Sequence, residues 1–260
     1  MGQLVTCPAA AAPAPAPAPA PELSPPILDL DWVALFTASG AYDFLTDGPA
    51  GDGTHTYAGY TIEVDRSSAC TQLEVTANGL EYDQGAANYF AMGINLRGLA
   101  APIDPAGPCH VVARLSSVSV TTATGGPQIG IQRHATFGTD TLGDGVVRYR
   151  RADATPDLYA VSYNGSTHDV EDHTVTSSGD VRMQYSLTAL YGVVCRGDTG
   201  TATDPADWKT LGTFAKASHA SAMGAFTGTF PGDTHVWARW GAAFESSGIF
   251  ETFTAYGLEA

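Results

Sequence analysis

Apolar residues recur at every second position along most of this chain, and that period constrains the fold more than any other feature. Over residues 181–195, Val181, Met183, Tyr185, Leu187, Ala189, Tyr191, Val193 and Cys195 occupy alternate positions, with Arg182, Gln184, Ser186 and Thr188 between them. A period of two places side chains on opposite sides of an extended strand, whereas a helix would need an apolar stripe every 3.6 residues. Leu190 and Val194 make the second half of this segment apolar on both sides, which suits a strand covered twice. Residues 234–244 repeat the pattern: Val236, Ala238, Trp240, Ala242 and Phe244 share one face, and Trp237, Arg239, Gly241 and Ala243 the other.

Tyr60, Ile62 and Val64 form another alternating set, as do Phe90, Met92, Ile94 and Leu96. Further strands are expected near 71–76, 111–122, 145–151, 157–163, 219–229 and 249–258, about ten in all, separated by Gly-, Asp-, Asn- and Thr-rich turns. Asn78-Gly79 and Asn164-Gly165 are hairpin dipeptides. Long apolar stripes at helical spacing are lacking. Only 203–211, where Asp204 can cap and Pro205 can take the first helical position, suggests a helical turn. The expected fold is an all-β antiparallel sandwich, jelly-roll or concanavalin-like.

The first 26 residues differ from the rest. They hold half of the chain's 16 prolines, and residues 12–21 read APAPAPAPAP. Proline fixes φ and removes an amide donor, so neither helix nor sheet forms there. Alternating Ala-Pro favours polyproline II, which would carry Pro8 to Pro21 over roughly 40 Å. The chain therefore divides into an extended Pro/Ala-rich arm, 1–26, and a single sandwich domain, 27–260, of a size one β sandwich fills.

Composition narrows the function by exclusion. The net charge is −15 and only two lysines occur, Lys209 and Lys216. Affinity for nucleic acid comes largely from neutralising phosphates, so no nucleic-acid partner is expected, and docking on anionic membranes is disfavoured on the same ground. No apolar run approaches the length of a membrane span, and the N-terminal MGQLVTCPAAAA has no basic segment and no apolar core of a signal peptide. The four cysteines, Cys7, Cys70, Cys109 and Cys195, are widely spaced and form no CxxC pair. They read as free thiols, with Cys70–Cys109 the pair to consider first if one is bridged.

No catalytic motif stands out: there is no G-x-S-x-G elbow, and the 27 acidic residues show no glycosidase-like strand motif. The chain is expected not to be an enzyme and to need no cofactor. Asn164–His173, NGSTHDVEDH, concentrates His168, Asp169, Asp172 and His173, but in no known metal-ligand spacing, and reads as an exposed acidic loop. The loops TDGPAGDG (Asp47, Asp52, Gly53) and GTDTLGDG (Asp140, Asp144, Gly145) are oxygen-rich but depart from the Asp-x-Asp-x-Asp-Gly pattern, so no metal site is expected. The residues that suggest binding are aromatic. Trp237 lies opposite Trp240, and with Arg239 it would form an outward platform for a sugar ring, unless a loop, a second layer or a neighbouring subunit covers it. Tyr149, inside the basic run VRYRR, is a comparable ligand-binding candidate or a contact for an acidic neighbour.

The closing segment VWARWGAAFESSGIFETFTAYGLEA resembles the last strands of concanavalin-like and laminin-G-like sandwiches, and GLEYDQGAANYFAMGINL is similar in style. The layout, a Pro/Ala arm and then a Gly/Thr/Ala-rich sandwich without a visible export signal, resembles bacteriophage virion proteins such as tail fibres, tail-tip proteins and capsid decorations. That resemblance implies synthesis in a host cytoplasm and a place in the virion. It implies an arm docked on other virion proteins and a sandwich that self-associates or binds a host surface glycan. A bacterial carbohydrate-binding module, or a glycan-active enzyme on the same scaffold, is the alternative.

Overall fold

The structure, a computed structural model, describes residues 26–49, 52–86, 89–99, 109–122, 125–132, 137, 146–152, 155–163, 168–174, 181–187, 193–198, 209–214 and 235–257. The arm, apart from Pro26, lies outside these residues, as do the strand expected over 219–229 and the Asp140–Gly145 loop.

The alternation resolves into two antiparallel sheets. Nine strands form the first: β1 (Leu28–Asp31), β2 (Tyr42–Asp43), β5 (Cys70–Thr76), β6 (Gly79–Gln84), β8 (Cys109–Val120), β13 (Val181–Leu187), β14 (Val193–Asp198), β15 (Lys209–Phe214) and β17 (Ser246–Gly257). Eight form the second: β3 (Gly53–Tyr57), β4 (Tyr60–Arg66), β7 (Tyr89–Asn95), β9 (Gly126–Gln132), β10 (Val146–Ala152), β11 (Thr155–Tyr163), β12 (His168–Thr174) and β16 (Trp237–Ala243). The first runs β15-β14-β13-β8-β17-β6-β5-β2, with β1 also on β17; the second runs β12-β11-β10-β9-β16-β7-β4-β3. The chain crosses between sheets at β8→β9 and at β16→β17, so the two central pairs of strands are linked across the sandwich.

The inward-facing residues meet as rings. Tyr82 and Phe250 of the first sheet pack on each other at 5.5 Å, and Tyr82 reaches Phe90 of the second at 5.4 Å. Trp240 lies 4.7 Å from Phe253 across the interface. Trp32 completes this cluster, 5.9 Å from Trp240.

Trp32 opens a feature the periodicity did not reveal, the helix α1 (Trp32–Ser39). Asp31 caps it, its carboxylate accepting from the Ala34 N–H at 2.9 Å. Gly40, at φ +84°, ends it by donating its N–H to the Phe36 carbonyl at 2.7 Å. Eight residues with one buried side chain carry no stripe to read.

Other expectations change. Residues 181–195 are not one strand, because Tyr185 pairs with Cys195 antiparallel; the segment is a hairpin, and alternation alone does not register a reversal. Seventeen strands, rather than ten, occur among the described residues. His168–Thr174 is not a loop but strand β12, paired with β11 at the end of the second sheet's order. Lys209–Phe214 is strand β15, so the expected helical turn does not extend into it. A tight turn forms one residue earlier than Asn78-Gly79 suggests: Ala77 and Asn78 are its unpaired residues, and Gly79, at φ +130°, is already the first residue of β6, paired with Thr76.

Cys70 is a free, buried thiol that donates to the Gln72 carbonyl at 3.5 Å, and burial pushes its pKa up to about 11. A bridge to Cys109 is excluded by topology. Strands β5 and β8 are separated by β6 and β17, hence by about 14 Å, twice what a disulfide spans.

Replacing Trp240 by Ala should cost about 3–5 kcal/mol, read as a lower urea midpoint at unchanged slope. Asp31→Ala should cost only about 1 kcal/mol, since it removes one exposed cap.

Candidate functional site

The outward platform expected at Trp237 and Arg239 is covered. Trp237 is 7% exposed and Arg239 5%. Every residue of β9 and β16 is buried, so these strands have no solvated face. His235 stacks on the Trp237 ring at 5.4 Å and 6°, and Phe137 leans against it at 5.3 Å. Phe137 can lie there because the underlying residue is Gly93: a β-carbon at that position would overlap the phenyl ring. Gln128 and Gln132 are buried on β9 beside β16. Stacking area that could have met a sugar is taken by the chain's own rings.

Tyr149 does not join this group. Arg148 pairs with Gln128, which pairs with Gly241. Tyr149 therefore lies more than four residues of strand rise from Trp237, over 13 Å away. Its side chain is outside the description.

An open concavity of about 230 Å³ occurs instead at one end of the first sheet, lined by Asp83, Gln84, Gly85, Ser119, Thr121, Glu245, Ser246 and Ser247. Register builds it. Ser247 of β17 pairs with Asp83 of β6 on one side and with Ser119 of β8 on the other. Directly paired residues project from the same face of a sheet, so three polar side chains stand in a row. The next row, Gln84, Ser246 and Val120, turns to the interior.

Glu245 forms the rim where the chain passes from the second sheet to the first. Phe244 and Glu245 have φ of +35° and +38°, a left-handed conformation that costs a residue with a side chain about 1 kcal/mol or more. Three hydrogen bonds hold it. The Glu245 N–H donates to the Gly85 carbonyl at 3.0 Å. The Thr121 N–H donates to the Glu245 carbonyl at 3.1 Å, and the Thr121 hydroxyl to Oε2 at 2.9 Å. Gly125 lets the turn close, since a β-carbon there would strike the Phe244 carbonyl. The crossover thus fixes the main chain at Glu245, and its carboxylate accepts from the exposed Thr121 hydroxyl through Oε2, with Oε1 left for another donor.

Two carboxylates, several hydroxyls and no basic side chain line the cleft. Such a lining accepts hydrogen bonds from a small polyhydroxylated ligand. Asp47 and Asp52 serve their own loops instead, accepting from the Asp43 and Arg66 N–H groups at 2.8 Å each. Among the described residues, no three His, Cys, Asp or Glu side chains converge as metal ligands. Sequence reasoning missed the cleft because Asp83 and Glu245 are 162 positions apart and neither sits in a motif.

Two histidines lie away from the cleft, His55 buried and His110 partly buried. His55 meets the Tyr42 hydroxyl at 3.2 Å, and its pKa is lowered by burial, with the Arg66 charge adding and Glu63 opposing. His110 stacks on Tyr256 at 4.6 Å, and burial lowers its pKa to about 4.

No known protein family's profile matches the chain, and no curated protein matches it in sequence. Solved structures match in fold. The chain is similar to GH43B of the Bacteroides ovatus xyloglucan PUL, at 12% identity and a TM-score of 0.51, over 91% of this chain and 40% of that one. It thus spans well under half the length of that protein. It is also similar to the VIP36 exoplasmic/lumenal domain in its Ca2+/Man3GlcNAc-bound form (9% identity, TM-score 0.47, 76% of this chain and 86% of that one). A third is the CBM2 module of the evolved Dit of Lactobacillus casei BL23 phage J-1 (11% identity, TM-score 0.44, 90% and 96%).

Burial of His110 sets a pH dependence. Its folded pKa lies below the unfolded value, so the unfolded chain takes up the proton first and stability falls as pH drops from about 6.5 toward 4. Between pH 7 and pH 5 this one group should remove about 2 kcal/mol. His110→Phe keeps a ring against Tyr256 and should flatten that slope in urea titrations at both pH values.

Proposed function

We propose that this chain is a glycan-binding β sandwich displayed on a bacteriophage particle, acting as a binding and assembly component rather than an enzyme. The observation that carries the glycan reading is the cleft at Asp83, Ser119, Glu245 and Ser247, the open concavity described above. Its volume suits one sugar residue more than a drug-sized ligand, whose pockets run to about 300 Å³ or more. Its acceptors are held by strand pairing and by a hydrogen-bonded turn, so little ordering is lost on binding. Binding rather than catalysis fits Glu245, whose carboxylate is already engaged by the Thr121 hydroxyl.

The virion placement rests on the sequence. A Pro/Ala arm is a stiff, extended tether, and a chain with net charge −15 and few lysines is a poor partner for nucleic acid or anionic membrane. Trp237 and Arg239 enter this reading as scaffold residues, because the Trp237 surface is already packed.

The full chain on a glycan array should retain at least one glycan class at millimolar or tighter affinity. Ser119→Trp, at an exposed position on the cleft wall, should abolish retention while leaving Tm unchanged. Absence of any retained glycan would remove the reading. For the assembly arm of the proposal, light scattering of the chain with and without residues 1–26 should show a multimer in at least one form; strict monomers in both would count against it.

A further inference from the structure

We infer that the cleft admits glycans without acidic groups and refuses their acidic counterparts; this rests on the glycan reading of the same site. Two of its eight lining residues, Asp83 and Glu245, are carboxylates, three present hydroxyl side chains (Ser119, Thr121, Ser247), Ser246 turns its hydroxyl inward to the Ala243 carbonyl, and none is basic. A uronate or sialate carboxylate brought among them would find two like charges and no cation.

Position makes this consequential. Asp83 stands in the row with Ser247 and Ser119, and Glu245 is pinned through its main chain to Gly85 and Thr121. Neither main chain can retreat without breaking strand pairing or the crossover. Two cations lie in the neighbourhood without lining the cleft: Arg114 is engaged with Glu251 at 3.0 Å, and Arg66 acts on the buried Cys70 thiol, whose strand partner is Gln84. The chain as a whole carries a net charge of −15, so its long-range field opposes anionic ligands too. A sugar hydroxyl, by contrast, donates to a carboxylate in a charge-assisted hydrogen bond. At the few-ångström separations inside such a cleft, like-charge repulsion is worth about a tenfold change in affinity per carboxylate at low ionic strength, and less as salt screens it.

The test uses the full chain and matched glycan pairs: galactose and galacturonate oligomers, glucose and glucuronate oligomers, and N-acetyllactosamine with and without terminal sialic acid. Wild type should bind the uncharged member of at least one pair about tenfold or more tightly than its acidic partner, with the gap narrowing as salt is raised. Asp83→Asn with Glu245→Gln should keep the wild-type Tm, weaken the uncharged ligand and shrink the discrimination. Equal or preferential binding of acidic members would overturn the charge selectivity and leave glycan binding standing. Discrimination unchanged in the double variant would overturn the assignment to this cleft. No binding to any member, charged or not, would overturn the glycan reading and this inference together.

Discussion

Strand β17 is paired along both edges, and the sandwich depends on that. On one side it follows β8 for nearly its whole length; on the other it meets β6 first and then β1. The last strand therefore holds the first one, through Leu28↔Ala255 and Asp31↔Thr252, and closes the domain end to end. Because β1 leads directly into α1, the same pairing places Trp32 against Trp240. The β17 register also shifts against β8 at two places, between Ser247 and Ile249 and between Phe250 and Thr252. Such irregularities bend a strand and re-aim its side chains. The cleft lies just before the first of them.

The second sheet shows what happens when strands of similar pattern are covered twice. Trp237 and Arg239 alternate correctly with the core residues Trp240 and Ala242, and by period alone they belong to an outer, solvated face. They are buried because Phe137 and His235 pack onto that face, over a backbone thinned by Gly93. Burial on both sides is a property of what lies above a sheet. The strand's own sequence carries only the hint that Gly241 and Ala243 are small and apolar where a solvated face would be polar.

Much of the fold was legible. Phe90, Met92 and Ile94, and Val236, Ala238, Trp240 and Ala242, sit in the core as their alternation requires. The turn signalled by Asn78-Gly79 is present, shifted by one residue, with Gly79 at positive φ where β6 begins. The hairpin within 181–198 was not legible, since a reversal between two apolar strands leaves the alternation intact. Nor was α1, which is set by one cap and one buried ring. The cleft was the least legible: Asp83, Ser119 and Ser247 are ordinary turn-adjacent polar residues until register sets them side by side.

The sequence by itself determined the class of structure and the sign of its surface. Period two with many turn residues permits antiparallel sheets, half of the 16 prolines gathered before residue 27 remove the amide donors that helix or sheet would need there, and 27 acidic against 12 basic residues make the chain anionic. Those are local or summed properties, and each residue contributes to them whatever its neighbours. Which strands pair, which face is covered and which polar groups converge were decided only in three dimensions. Pairing Ser247 with Asp83 and Ser119 joins segments more than a hundred positions apart, and no local preference encodes a distance of that kind.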